Sequence, residues 1–162
     1  MSSAHGNFFS EKNQKPNAEP YKFGIVVASW HHQVTEALFN GAYQTLLDGG
    51  AKTENIFKCT VPGSFELTTA AAYLANLKRY DAIICLGCVI QGETRHFEFI
   101  CNAVANGLTT ISIQHQLPVI FGVLTTDTLE QAMERAGGKM GHKGVDAALT
   151  AIQMAELKAG LK

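Results

Sequence analysis

Apolar residues along this chain fall into short continuous runs, separated by longer segments with a helical repeat. Phe23-Gly24-Ile25-Val26-Val27-Ala28 is an apolar, β-branched run, the pattern of a strand buried on both faces. From about Val34 to Leu47, the residues Leu38, Ala42, Tyr43, Leu46 and Leu47 form a helical stripe, and Asp48-Gly49-Gly50 supplies its stop. A second strand, Ile56 to Val61, ends at Pro62-Gly63, and Ser64, a good N-cap residue, opens the next helix. The third strand is Ala82 to Leu86, followed by a glycine-punctuated loop (Gly87 to Arg95) and a helix from about Phe97. Pro118 to Leu124 is the fourth strand, and Asp127 and Glu130 have capping-box spacing at the start of another helix. A Gly/Lys-rich connection, Gly137 to Gly144, leads to a last helix from about Val145 to Leu157.

The order β-α-β-α-β-α-β-α-α predicts an α/β fold: a three-layer sandwich whose four-stranded parallel sheet, in flavodoxin-like order, is flanked by helices. Residues 1–22 are a polar N-terminal tail, and residues 23–162 form a single domain. In open parallel sheets the ligand crevice lies beyond the carboxyl ends of the strands. That rule selects four loops: Ser29–His32, Pro62–Glu66, Cys88–His96 and Thr125–Asp127.

Composition adds an assembly argument. Only 17% of the 162 residues are charged, where about 25% is usual. Leu67 to Leu77 carries no charged side chain, and neither does Phe99 to His115 with histidine taken as neutral. A surface helix normally keeps a polar face, so both helices are expected to have the sheet on one side and another copy of the chain on the other. A net charge of −1 gives no electrostatic footprint for nucleic acid or an anionic membrane. No apolar run reaches the length of a membrane span, and the first twenty residues lack the apolar core of a secretory signal. Four unevenly spaced cysteines then read as reduced thiols, and the expected location is cytoplasmic.

The strand-end loops hold the candidate chemistry. Trp30, the only tryptophan, is placed to stack on a planar heterocycle or to plug the end of the sheet. Ser64-Phe65-Glu66 sits at a helix start whose free N–H groups can bind hydroxyls or anions; Glu66 suits a polyol or simply the helix dipole. Gly87 to His96 exposes backbone donors beside Thr94 and ends in His96. An imidazole near a helix start is the best candidate general acid/base, since histidine ordinarily titrates near 6.5. Arg135, with Lys139 and Lys143, either grips a phosphate or forms a solvated basic helix end. Cys85-x-x-Cys88 has redox spacing but begins inside a strand, not at a helix N-terminus. No finger-like spacing points to a metal.

With VPGSFE, GCVIQGETRHF, PVIFGVLTT and ERAGGKMGHKG in this order and spacing, the chain from about Phe23 to Leu157 resembles the 6,7-dimethyl-8-ribityllumazine synthase family. The resemblance implies a transferase of riboflavin biosynthesis, using no metal and no organic cofactor. It condenses 5-amino-6-(D-ribitylamino)uracil with 3,4-dihydroxy-2-butanone 4-phosphate, releasing phosphate and water. By position, Trp30 matches the aromatic stacked on the pyrimidine, and Ser64, Phe65 and Glu66 match the segment binding that substrate. Cys88, Val89 and Ile90 match the segment along the pyrimidine edge, and Glu93 and Thr94 the phosphate-side loop. His96 matches the proton donor, Phe121 the aromatic that completes the site from an adjacent subunit, and Arg135 the residue holding the butanone phosphate. The resemblance also implies homopentamers with shared active sites, an N-terminal segment that adds a strand to a neighbour's sheet, and riboflavin synthase as a partner. The short Gly137–Gly144 connection lacks an insertion resembling a pentamer-only feature, which favours a 60-subunit icosahedral shell. A non-catalytic flavin or lumazine binder and a purely structural shell protein remain the alternatives on the same scaffold.

Overall fold

In the computed structural model, which describes residues 16–161, four strands form one parallel sheet. Strand β1 (Phe23–Ala28) and β2 (Ile56–Val61) lie on one side of the chain reversal, β3 (Ala82–Ile90) and β4 (Val119–Thr126) on the other. The order is β2-β1-β3-β4, and every pairing is parallel. Between strands run α1 (His32–Asp48), α2 (Leu67–Asn76) and α3 (His96–His115); α4 (Leu129–Arg135) and α5 (Lys143–Gly160) follow β4. The expected sandwich and strand order are the ones observed.

Two cores explain the layering. Alternate residues of β1 and β3 (Ile25, Val27, Ile84, Leu86) pack against Leu38 of α1, Ala132 of α4 and Ile152 of α5. The opposite set (Val26, Ala28, Ile83, Cys85) packs against Leu67 and Ala71 of α2 and Val104 and Leu108 of α3. Since successive strand residues face opposite ways, a central strand buried on both sides must be apolar throughout, as Phe23–Ala28 is. The same alternation separates Cys85 and Cys88, three residues apart, onto opposite faces of the sheet. Both thiols are free and buried, so they do not form the redox pair that their spacing suggests.

Several boundaries differ from those the sequence suggests. β3 continues through Ile90 because Gly87–Ile90 pair with Val123–Thr126 of β4, so the loop expected from Gly87 starts at Gln91. Ser64 does not cap α2: residues 64–66 make a turn closed by the Leu67 N–H donating to the Ser64 carbonyl, and the helix starts at Leu67. The capping box falls one residue later than Asp127 and Glu130, on Thr128 and Gln131, whose side chain and backbone groups bond reciprocally. The Gly/Lys-rich connection folds as a small antiparallel hairpin, β5 (Ala136–Gly138) and β6 (Gly141–His142), and α5 starts at Lys143.

Within the stretch read as tail, Ala18 is fully buried, its N–H donating to the Gly49 carbonyl, and the Lys22 N–H donates to Asp81 Oδ2. The segment expected to add a strand to a neighbour's sheet falls largely on residues 1–15, which lie outside the described residues. No helix among the described residues is long and apolar enough to cross a membrane.

Candidate active site

The strand order reverses between β1 and β3, and a cleft of about 580 Å³ opens at the carboxyl ends of β1, β2 and β3. Its size and position are those of a small-molecule site in an open α/β sheet. Trp30, His31, Gly63, Ser64, Phe65, Glu66, Cys88, Val89, Ile90, His96 and Ile100 line it. Eight residues singled out by sequence therefore meet in one place.

Each is positioned by backbone. The Trp30 N–H donates to the Pro62 carbonyl, tying the end of β1 to the turn after β2. Its indole is 69% exposed, so it is a bare apolar face and not a plug. His31 follows in a left-handed conformation (φ 57°), turns the chain into α1, and sets its ring edge-on to the indole at 6.4 Å. Glu66 Oε2 accepts the Gly63 N–H at 2.9 Å, closing the Pro-Gly turn; a carboxylate keeps further acceptor capacity for hydroxyls. Ser64 is only 6% exposed, and its hydroxyl donates to the Cys88 carbonyl at 3.4 Å.

That contact requires Gly87. A Cβ there would stand 2.6 Å from Ser64 Oγ and 2.9 Å from Leu67 Cδ1, so only glycine lets β3 pass this close beneath the turn. The Cys88 side chain points into the core, where burial pushes its thiol up to about 11. Its contribution to the cleft is backbone. His96 is the first residue of α3, its N–H donating to Thr94 Oγ1 at 3.4 Å. Arg95 turns to Glu98 on the outside of the helix, N–O 3.3 Å.

Glu93 and Thr94 occupy the exposed loop before α3 and are not among the lining residues. Phe121 and Arg135 also stand apart. Phe121 pairs with Cys85 near the start of β4, three positions below Cys88, a drop of about 10 Å along the strand, and is 38% exposed. Arg135 ends α4, on the α1/α5 side of the sheet, whereas the cleft lies over the starts of α2 and α3. Sequence reasoning missed His31 and Ile100. Ile100 was findable one helical turn after His96; nothing in the sequence announced the left-handed turn at His31. Among the described residues, no three His, Cys, Asp or Glu side chains cluster as metal ligands.

Comparison with known proteins adds the following. The family model described as 6,7-dimethyl-8-ribityllumazine synthase matches residues 20–159. The protein of that name from Cytophaga hutchinsonii is 55% identical over 154 residues, covering 95% of this chain and 97% of the relative. Those of Porphyromonas gingivalis and Parabacteroides distasonis are 48% and 47% identical, each covering 98% of this chain and 99% and 100% of the relative.

Proposed function

The chain belongs to the 6,7-dimethyl-8-ribityllumazine synthase family, and from that premise we propose the division of labour in its cleft. The reaction condenses 5-amino-6-(D-ribitylamino)uracil with 3,4-dihydroxy-2-butanone 4-phosphate. An amine nitrogen attacks the ketone and water leaves as a C=N bond forms. Phosphate departs, and the second nitrogen closes the ring with loss of further water.

The uracil stacks on Trp30, its edge meets the backbone of Cys88, Val89 and Ile90, and its ribityl chain runs to Ser64, Phe65 and Glu66. His96 moves protons during imine formation and phosphate loss, a contribution typically about 10²–10⁴-fold. Glu93 and Thr94 offer backbone N–H groups on the phosphate side. The observation that carries this reading is the convergence of Trp30, Glu66 and His96 on one cleft from three separate strand ends. Holding two reactants in register removes much of the entropy cost of their meeting.

Phe121 and Arg135 complete the site from an adjacent copy, Arg135 gripping the phosphate as a bidentate anion partner. Support for that assignment is their distance from their own cleft. The enzyme is a homo-oligomer, a pentamer that assembles further into a 60-subunit shell. It works in the cytoplasm without a cofactor and passes product to riboflavin synthase. The test is to mix the purified protein with both substrates and follow lumazine absorbance. Product well above the uncatalysed rate is expected. Tight lumazine binding without turnover would replace the enzyme by a binding protein.

A further inference from the structure

The hairpin after α4 is held to the body by a half-buried imidazole with no role in the cleft. His142 is the N-cap residue of α5 and pairs with Ala136 across β5–β6. Its ring lies directly against Gly41 of α1: a Cβ added there would overlap three of the imidazole atoms. A Cβ on Gly137 would stand 3.2 Å from the ring's Cδ2. His142 Nδ1 is buried and makes no hydrogen bond among the described residues, so close packing against Gly41 is what fixes that edge of the ring. An imidazole in such a slot is a wedge between α1 and the hairpin.

The residue just before that hairpin is Arg135. Its two neighbours are both fixed. Glu134 accepts the Lys139 N–H on Oε2 at 2.8 Å and the Met140 N–H on its carbonyl at 3.0 Å. Ala136 is paired with His142. One side of the arginine is therefore tied to the hairpin turn, the other to the wedge.

We propose that His142 is a positioning residue for Arg135, setting through the hairpin where the guanidinium meets the phosphorylated four-carbon substrate. This rests on the phosphate role given to Arg135 above. A displacement of about 1 Å at such a group can cost on the order of 10²-fold in rate, so a packing residue remote from the chemistry controls use of one substrate and not the other.

The test compares wild type, His142→Ala, Gly41→Ala and the double variant, with KM measured separately for each substrate. Gly41→Ala changes no polar group and expels the ring, so it should reproduce His142→Ala. In each, KM for the phosphorylated substrate should rise roughly tenfold while KM for the ribitylaminouracil stays put. In the double variant the methyl at position 41 refills part of the slot, and the two effects should be strongly non-additive. Inhibition by inorganic phosphate should weaken in parallel. Circular dichroism and particle size monitor folding, and if one single variant fails to assemble the other decides. Assembled variants with both KM values unchanged, or with both raised equally, overturn the proposal. Absence of turnover in wild type overturns the reading of the cleft instead.

Discussion

Trp30, Glu66 and His96 each draw their position from a backbone event next to them: a strand end, a Pro-Gly turn and a helix start. Arg135→Ala should therefore leave the uracil side intact and raise KM for the phosphorylated substrate by about 10- to 100-fold, the worth of a charge-assisted contact of about 1.5–3 kcal/mol. Steady-state kinetics with each substrate varied in turn checks it. His142 gives a second expectation at this scale. Burial holds its imidazole below the ordinary value of 6.5, with Asp146 opposing. The unfolded chain then binds a proton the folded chain refuses, so this contribution to stability is present above 6.5 and lost as pH falls below it. Denaturant midpoints at pH 7.5 and pH 5 should diverge less in His142→Asn than in wild type. The residue types at the cleft were legible because strand-end loops are where such sheets bind ligands. His31 was not, since a left-handed non-glycine residue leaves no mark on the sequence.

At the level of elements, β3 and the turn after β2 must approach each other for the cleft to exist. Gly87→Ala drives a methyl into Ser64 and Leu67. It should destabilise the protein by about 1–3 kcal/mol, as overpacking does, and weaken binding of the uracil substrate by moving Ser64. Thr128→Ala is the contrasting change: it breaks the capping box of α4, costs about 1 kcal/mol, and should leave the uracil side of the cleft untouched. Chemical denaturation and substrate titration separate the two. The strands and helices were readable from periodicity, but their ends were not. Gly87 reads as a breaker in sequence, while in the fold its missing side chain lets the strand continue. Ser64 reads as a cap, yet its hydroxyl is spent on the Cys88 carbonyl. In both cases a contact with a distant segment overrode the local signal.

For the whole molecule, the charge-poor helices acquire a clear geometry. α2 and α3 seat Leu67, Ala71, Val104 and Leu108 on the sheet, while Tyr73, Phe99 and Ile113 face outward, Ile113 at 71% exposure. Bare apolar faces of this kind are where a neighbouring copy would bind. Tyr73→Glu or Ile113→Glu should reduce the sedimentation coefficient and the turnover together; a full-size, fully active variant would remove that face from the assembly. The sequence carried the scarcity of charge, but the surface a second copy would cover, and with it where Phe121 and Arg135 would act, is not encoded in a single chain's periodicity. The most direct measurement is complementation between two crippled proteins. His96→Ala and Arg135→Ala, assayed with the phosphorylated substrate well below its wild-type KM so that each alone is weakly active, are unfolded together and reassembled in equal amounts. A ring whose sites each take one residue from either neighbour should recover roughly a quarter of wild-type lumazine formation; no recovery in verified mixed assemblies would contradict a site built from two copies.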